Sequence, residues 1–407
     1  MNDDFDVAII GGGSGGYAAA RTAAKAGLRT AVIEGGAEVG GLCILRGCMP
    51  TKALLYSAEV MHLASHPEPW GIRTGKVTFD FKKVMARKNA LINDFANFRQ
   101  QQLANGRFKF IRARARFVDA HTIELARFHS SRSNGRESVP SEQSRLTSAA
   151  TITAKHFIIA TGSVIAPSPL PQLDEVGYLT SDTALKLSRL PKSLIVLGGG
   201  LVGCEFAQFF ARFGVKVTLV QRSRHVLKEF DRDAATTIER VFQREGIQVY
   251  SHTHLTDARR KGRMKTVSFK HEGKLISRSA EEIFFALGRV PNTPSLNLKK
   301  AGVATDHGRI IANDFMQTSA PHVYTAGDCT GPHEIVHIAV QQGEIAAHNI
   351  AHPGSRRKSD HRLLIVIVFT EPQLAFVGLT EKAAKTQKIP YLAASYPFND
   401  HGKSLIM

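Results

Sequence analysis

Two cysteines near the start of the chain are the residues best suited to redox chemistry. Cys43 and Cys48 lie in the glycine-flanked stretch GGLCILRGCMPTK, which ends at Lys52. A continuous helix would separate their Cα atoms by about 7.5 Å, whereas a disulfide needs about 4.4–6.8 Å, so a bond requires a distorted turn. Gly47 allows that bend, and a helix start at Cys48 would stabilise its thiolate. The spacing indicates a redox-active disulfide; two unrelated buried thiols or half of a zinc site are the alternatives.

A glycine-rich unit precedes the cysteines. A short apolar strand over residues 6–10 leads into GGGSGG, where Gly11, Gly13 and Gly16 occupy the three positions of a dinucleotide fingerprint. A helix over 17–26 and a strand over 30–33 follow, and Glu34 ends that strand. The glycines permit close approach of a pyrophosphate to the helix N-terminus, and the carboxylate can accept ribose hydrogen bonds. The order of these elements predicts a dinucleotide-binding unit.

The same unit occurs a second time. A strand over residues 193–197 leads into GGGLVG, with Gly198, Gly200 and Gly203 in the same positions, and a helix and a strand follow. The residue at the position of the first unit's acid is Gln221, with Arg222 beside it. Loss of the acid next to an arginine favours a 2′-phosphate, and therefore NADP over NAD. A neutral residue that tolerates either nucleotide is the alternative.

The rest of the chain is read from periodicity and composition. A long amphipathic helix is predicted over residues 79–103, and the polar stretch over 127–150 is expected to be a flexible surface loop. The apolar positions of that helix are expected in the core: Phe81, Val84, Met85, Leu91, Ile92, Phe95 and Phe98.

Composition narrows the function classes. The 407 residues are 43% hydrophobic and carry 53 basic against 35 acidic side chains, a net charge of +18. The basic clusters have no interleaved aromatic residues, so we predict no nucleic-acid partner; anionic cofactors and solvated surface account for the excess. No apolar run has transmembrane length and no secretory signal is apparent, which predicts a cytoplasmic protein without a membrane partner. Cys204 and Cys329 stand alone and are expected to be buried thiols that take no part in the redox chemistry. We assign no metal site.

These motifs together resemble the flavin-dependent pyridine-nucleotide disulfide oxidoreductases, which include dihydrolipoamide dehydrogenase, glutathione reductase and mercuric reductase. The resemblance runs from Asp6 to about Gly378. It includes ATGS at residues 160–163, ALGRVPNT at 286–293, YTAGDCTG at 324–331 and FTEPQLAFVG at 369–378.

The resemblance implies an α/β fold with two Rossmann-like dinucleotide-binding domains and an incomplete α+β interface domain. Residues 1–164 and 289–360 would form an FAD-binding domain that is interrupted by an NAD(P)-binding domain at 165–288. Residues 361–407 would be a truncated dimerisation domain. In the family this last domain ends in a His-Glu pair that completes the partner's active site, and no such motif occurs by Met407. A homodimer is expected of the full-length family and is doubtful for this chain.

The resemblance also implies residue roles. Cys48 would be the flavin-proximal thiol that forms a charge-transfer complex, Cys43 the interchange thiol, and Lys52 would approach the flavin and pair with Glu205. Asp328 would contact the ribityl chain and His337 would lie near the isoalloxazine. The remaining residues expected at FAD are Gly11, Gly13, Gly16, Glu34, Ala113, Thr161, Gly162, Ser163 and Val336. Those expected at the nicotinamide nucleotide are Gly198, Gly200, Gly203, Gln221, Arg222, Lys228 and Gly288.

The substrate is left open by departures from the family pattern. Arg222 and Lys228 match two positions that glutathione reductase uses for the 2′-phosphate, whereas Thr51 is nearer the serine of the lipoamide and mercury enzymes. The predicted function is electron transfer between NAD(P)H, FAD and a Cys43–Cys48 disulfide, to or from a small-molecule disulfide or dithiol. The alternative is an FAD- and NAD(P)-binding fragment with only diaphorase or oxidase activity, because the interface domain is expected to be incomplete.

Overall fold

The computed structural model describes residues 4–126 and 150–406, so nearly all of the predicted 127–150 loop lies outside the described residues. Its strands are β1 Phe5–Ile10, β2 Thr30–Glu34, β3 Lys109–Arg112, β4 Arg114–Phe117, β5 Thr122–Ala126, β6 Ala150–Ile159, β7 Ser163–Ile165, β8 Ser193–Leu197, β9 Lys216–Val220, β10 Gln248–Tyr250, β11 Thr253–Lys261, β12 Met264–His271, β13 Lys274–Ala280, β14 Glu282–Phe285, β15 Arg289–Pro291, β16 Thr305–Asp306, β17 Arg309–Ile310, β18 Val323–Thr325, β19 Ile365–Val368 and β20 Leu374–Val377. Its α-helices are α1 Ser14–Lys25, α2 Gly41–Leu45, α3 Cys48–Ser65, α4 Phe81–Leu103, α5 Pro171–Val176, α6 Ser181–Ala184, α7 Leu201–Arg212, α8 Arg232–Arg244, α9 Val336–Ala351, α10 Glu381–Thr386 and α11 Gly402–Ile406.

The first glycine-rich unit lies at the centre of a mostly parallel sheet. The strand order is β3-β2-β1-β6, and β18 pairs with β6 on its other side. The first half of the long strand β6 instead pairs antiparallel with β5, which pairs with β4. Strand β1 is apolar and buried, as expected of a parallel strand covered on both faces. Its carboxyl end therefore points the glycine turn into the crevice where such sheets bind ligands.

The second unit has its own parallel sheet, in the order β10-β9-β8-β14, with an antiparallel sheet β11-β12-β13 beside it. The chain enters and leaves this part of the molecule at one place, because β7 pairs antiparallel with β15. The helix α7 of the second unit packs against α3, the helix that follows the cysteine turn. This contact brings the second unit against the cysteines.

Helix α4 corrects one expectation. Met85 and Ile92 are buried and Phe81 and Val84 are half-buried, as predicted. The prediction that the whole apolar stripe is core is wrong, because three of its side chains are exposed by 37–61%: Leu91, Phe95 and Phe98. The stripe is wider than the face of α4 that α3 and α2 cover, so its outer edge meets solvent.

The C-terminal segment forms the antiparallel hairpin β19–β20, followed by α10 and α11. Val368 is fully buried in the same cluster as the core of the second unit. The carboxylate of Asp231 accepts hydrogen bonds from the N–H groups of Glu381 and Lys382, at 3.1 Å each, and so attaches α10 to the loop that follows β9. Within residues 4–126 and 150–406, no helix has the length and apolarity needed to cross a bilayer.

Candidate functional site

The cysteine turn is a break between two helices. Helix α2 ends at Leu45 and α3 begins at Cys48, so the bend expected at Gly47 is confirmed. A Cβ on Gly47 would lie 3.0 Å from the carbonyl oxygen of Leu42, which explains the preference for glycine there. Both cysteines are half-buried thiols in this structure. The turn therefore presents the dithiol form of the pair at the N-terminus of α3.

The two sulfur atoms share a hydrogen bond that separates their acidities. It raises the pKa of Cys43 well above its usual range, and burial acts in the same direction. It lowers the pKa of Cys48 to about 7, where the Lys52 ammonium also favours the thiolate while burial and Glu205 oppose it. Within the pair, the thiolate is therefore favoured on Cys48 and the proton on Cys43.

An ion pair lies beside Cys48. Lys52 Nζ is 2.8 Å from both carboxylate oxygens of Glu205, on α7 of the second unit, as the sequence predicted for this pair. The carboxylate is almost fully buried and also accepts the N–H of Phe369 at 3.0 Å. The Lys52 ammonium lies 4.4 Å from the centre of the Phe369 ring, a cation–π contact. Three parts of the chain therefore hold one lysine next to the cysteine pair.

The two glycine-rich turns have the same internal geometry. A Cβ on Gly16 would lie 1.8 Å from the Gly11 carbonyl oxygen, and one on Gly203 would lie 1.8 Å from that of Gly198. Only glycine fits these positions, because helix and strand approach each other so closely. A Cβ on Gly200, in contrast, would have no atom of the protein within 4 Å. The middle glycine of the second triplet is therefore open on its outer side.

The side chains at the ends of β2 and β9, the second strands of the two glycine-rich units, differ in chemistry. Glu34 accepts the N–H of Gly12 at 2.9 Å and that of Gly36 at 2.6 Å. Gln221 accepts the N–H of Gly199 at 2.9 Å, and its amide nitrogen donates to the carbonyl of His225 at 3.4 Å. The first unit therefore places a carboxylate, and the second a neutral amide, against its glycine turn.

The loop after Gln221 is basic. Arg222, Arg224 and Lys228 are exposed, and Lys228 forms a surface ion pair with Glu229, at 3.4 Å. The backbone carbonyl of Lys228 accepts a hydrogen bond from Lys382 on α10, at 2.6 Å. The C-terminal segment thus supports this loop and adds a further cation to it.

A third group of polar residues links strands β7 and β15 to the turn that follows β18. Ser163 donates to the Asp328 carboxylate at 2.7 Å, and Arg289 donates to the hydroxyl and to the carbonyl of Ser163 at 2.8 Å each. Nearby, the N–H of Gly327 donates to Gln342 of α9 at 2.8 Å. These bonds fix the orientation of the Asp328 carboxylate at the carboxyl end of β18.

The profile described as "Pyridine nucleotide-disulphide oxidoreductase" matches residues 5–343, and that of its "dimerisation domain" matches residues 365–407. The chain belongs to this pyridine nucleotide-disulphide oxidoreductase family. The resemblance and the α/β fold predicted from the sequence are thereby confirmed.

Relatives within the family include enzymes of different substrates. The chain is 34% identical to a mercuric reductase of Lysinibacillus sphaericus over 94% of this chain and 66% of the relative. It is 32% identical to the dihydrolipoyl dehydrogenase of Bacillus subtilis (strain 168) over 100% of this chain and 84% of the relative. A solved structure, the Cu(II) complex of the HOCl-induced flavoprotein disulfide reductase RclA from Escherichia coli, matches with a TM-score of 0.80 at 29% identity, covering 95% of this chain and 80% of that one. The chain spans 66% of this mercuric reductase and 61% of one from Bacillus cereus, against 84% of the dihydrolipoyl dehydrogenase and 80% of the RclA chain.

The flavin of this oxidoreductase family fits the residues present. Thr161 Oγ1 is buried without a hydrogen-bond partner in the described chain, and it lies between β6 and β7, next to the glycine turn. Such an orphaned hydroxyl at the expected cofactor position points to a polar ligand. Glu34 and the oriented Asp328 carboxylate add acceptors suited to ribose and ribityl hydroxyls. When bound, FAD would accept hydride from the nicotinamide and exchange electrons with the sulfur pair.

The structure places the remaining expected oxidoreductase residues around this crevice. Ala113 is buried and its N–H donates to the Glu34 carbonyl at 3.2 Å. Val336 and His337 start α9. Gly162 and Gly288 both have positive φ and flank the β7–β15 pair.

Sequence reasoning missed Arg289, Gln342, Lys382 and Arg99, which enter the site by long-range packing. Arg289 lies within the ALGRVPNT stretch, which was the available signal for that residue. Within residues 4–126 and 150–406, no group of three or more His, Cys, Asp or Glu side chains is arranged to hold a metal ion.

Proposed function

We propose that this protein is an FAD-dependent oxidoreductase that passes electrons between NAD(P)H and a small-molecule disulfide or dithiol through Cys43 and Cys48. The observation that carries the proposal is the cysteine turn at the N-terminus of α3, with Lys52 held beside it by Glu205 and with the thiolate favoured on Cys48 over Cys43. Thiol–disulfide exchange needs one thiol that attacks the substrate and a second that resolves the mixed disulfide. We assign the first role to Cys43 and the flavin-proximal role to Cys48.

The residue assignments that support this function follow the two units. Residues 1–164 and 289–360 would bind FAD, and residues 165–288 would bind the nicotinamide nucleotide. Glu34, Asp328 and the unpartnered Thr161 hydroxyl support the first assignment. The turn from Gly198 to Gly203 supports the second.

NADPH is the nucleotide that we propose for the second unit. The neutral Gln221 and the exposed cations Arg222 and Lys228 support it, because charge-assisted hydrogen bonds to a phosphate need cations without strong competing partners. The surface ion pair of Lys228 is solvent-exposed and therefore weak.

A homodimer is the assembly that we propose, with residues 361–407 at the interface. The profile match of residues 365–407 supports it, as do the exposed apolar side chains of this segment. Those side chains are Leu363, Ile365, Ile367, Val377 and Leu379. A reducing compartment such as the cytoplasm is the location that we propose, since Cys204 and Cys329 are single buried cysteines and not members of a structural disulfide framework.

An anaerobic titration of the FAD-loaded protein with NADPH tests the proposal. Reduction is expected to produce a long-wavelength absorbance from the Cys48 thiolate against oxidised flavin. Cys48→Ser should abolish the band, and Cys43→Ser should show it before any reductant is added, because it leaves the thiolate without a disulfide partner.

Three outcomes would contradict parts of the proposal. A protein that stays colourless after incubation with FAD would remove the flavin assignment. The reverse pattern in the two serine variants would exchange the roles of the thiols. Reduction of dyes by NADPH without turnover of any disulfide in a substrate panel would leave only the diaphorase activity.

A further inference from the structure

Arg99 on α4 carries a guanidinium nitrogen that finds no acceptor among residues 4–126 and 150–406. Its Nη1 is buried and has no hydrogen-bond partner, and no carboxylate of the described chain forms an ion pair with it. The guanidinium instead stacks over the ring of Tyr17, with its carbon 4.2 Å from the ring centre. Burial lowers the pKa of Arg99, which shows that the charge is held at a cost in solvation. A buried cation of this kind would be stabilised by an anion that forms during the reaction cycle.

The sulfur of Cys43 supplies such an anion when it ionises. Gly41, at the start of α2, packs against Gly13 so closely that a Cβ on it would lie 2.5 Å from the Gly13 Cα. This contact brings Cys43, two residues further on, to the start of α1, which carries Tyr17 one turn after Gly13. Helix α2 also packs against α4. Tyr17, Cys43 and Arg99 therefore meet from three helices.

The electrostatic contacts agree with this placement. A negative charge on Cys43 raises the pKa of Arg99, after the larger effects of burial and Tyr17, and the Arg99 charge in turn favours the Cys43 thiolate. Arg21 contacts the same Tyr17 ring at 5.9 Å, but it is neutralised by Glu344 at 2.8 Å. Arg99 has no such carboxylate within the described residues.

We propose that Arg99 is a positioning residue that stabilises the negative charge on the Cys43 sulfur when this thiol attacks the substrate. Its catalytic meaning rests on the proposed function. The Cys43 thiolate attacks one sulfur of a substrate disulfide, a new S–S bond forms, and the other substrate sulfur leaves as a thiolate. The Cys48 thiolate then attacks Cys43, which closes the protein disulfide and releases the second substrate thiolate. The dithiol supplies two electrons, the proton of Cys43 passes to solvent, and the departing thiolates take up protons from solvent.

Arg99 favours the thiolate form of Cys43, which the resting dithiol disfavours. The neighbouring Cys48 sulfur and burial raise the pKa of Cys43, the thiol that must become the nucleophile. Cys48 on α3 and Arg99 on α4 act directly on Cys43, the first disfavouring and the second favouring its thiolate. Lys52 of α3 and Glu205 of α7 act on Cys48, and Tyr17 and Arg21 of α1 act on Arg99. Of these, Arg99 is a cation that acts on Cys43 without an acid partner of its own.

The test measures the pH dependence of Cys43 alkylation by iodoacetamide, a neutral reagent, in the FAD-loaded protein with Cys48→Ser as background. Cys204 and Cys329 are buried and do not compete. Arg99→Gln removes the cation and should move the midpoint of the profile upward by about one pH unit, which slows alkylation about tenfold below the midpoint. Arg87→Gln, an exposed arginine on the same helix, is the matched control and should leave the midpoint unchanged.

Arg99→Lys separates charge from packing. It keeps the positive charge but loses the planar stacking on Tyr17, so its midpoint should stay closer to the parent than to Arg99→Gln. Equal midpoints in Arg99→Gln and Arg87→Gln would overturn the proposal, and so would an Arg99→Lys profile shifted as far as that of Arg99→Gln. The alkylation needs no turnover or nucleotide. A failed NADPH titration would therefore reject the proposed function and leave this inference standing, and an unshifted profile would do the reverse.

Discussion

The two glycine-rich units have nearly the same backbone and opposite electrostatics. In both, a helix and a strand meet so closely that the third glycine admits no Cβ. In the first unit the second strand ends in a carboxylate that accepts two N–H groups, and in the second it ends in an amide that accepts one. The loop that follows is Gly-Gly in the first unit and Arg-Ser-Arg in the second.

The helices of the two units differ as well. Helix α1 packs tightly on α9, because a Cβ on Gly343 would lie only 2.2 Å from the Gly15 carbonyl oxygen. This face of α1 therefore serves the contact between the two helices. Helix α7 instead carries Glu205, which reaches Lys52 beside the cysteines. The comparison teaches that backbone sterics define a nucleotide-binding turn, whereas side chains at the strand end and on the helix decide which nucleotide and which chemistry it serves.

The largest expected effect tests the shared backbone. Gly16→Ala and Gly203→Ala should each destabilise the protein by about 3 kcal/mol, or about 4 °C in Tm for a chain of this length, because the new Cβ overlaps a backbone carbonyl. Gly200→Ala should leave Tm unchanged, since no protein atom lies within 4 Å, and yet weaken NADPH binding about tenfold by blocking pyrophosphate approach. Thermal unfolding and nucleotide titration measure both. A Gly200→Ala protein with normal NADPH affinity would show that the second turn does not hold the pyrophosphate.

The next effect tests the charge difference. Arg222→Ala should raise the KM for NADPH by about 10–100-fold, the worth of a charge-assisted hydrogen bond, and change the KM for NADH little. Gln221→Glu should shift preference towards NADH, because it gives the second unit the carboxylate of the first. Lys216→Ala, an exposed cation at the opposite end of β9, is the control and should affect neither KM. Equal changes for the two nucleotides in Arg222→Ala would reject the preference for NADPH.

The smallest effect is expected when the first unit is made like the second. Glu34→Gln keeps one acceptor but leaves the N–H of Gly12 or Gly36 without its partner, which should cost about 1 kcal/mol of stability. Glu38→Gln, an exposed glutamate nearby, is the control and should be neutral. Chemical denaturation with FAD titration measures the change. If Glu34→Gln is as stable as Glu38→Gln, the two carboxylate bonds contribute nothing that an amide cannot supply.

Local patterns were sufficient for the parts of the site that depend on near neighbours in the chain. The glycine spacing, the strand–turn–helix order and the bend at Gly47 could be predicted, because backbone sterics act over a few residues. The family resemblance added the Lys52–Glu205 pair, which spans 153 residues and has no local signal. These features were determined by the sequence alone.

Other features were decided only by the tertiary structure. Arg289 meets Ser163 and Asp328 because β7 pairs with β15. The exposure of Phe98 depends on how much of α4 its neighbours cover, which periodicity does not reveal. The unequal acidities of Cys43 and Cys48, and the lack of an acceptor for Arg99 Nη1 within the described residues, depend on burial and on charges from several helices. Burial and charge interactions depend on distances that exist only in the packed chain, so no pattern of residue types along the sequence could determine them.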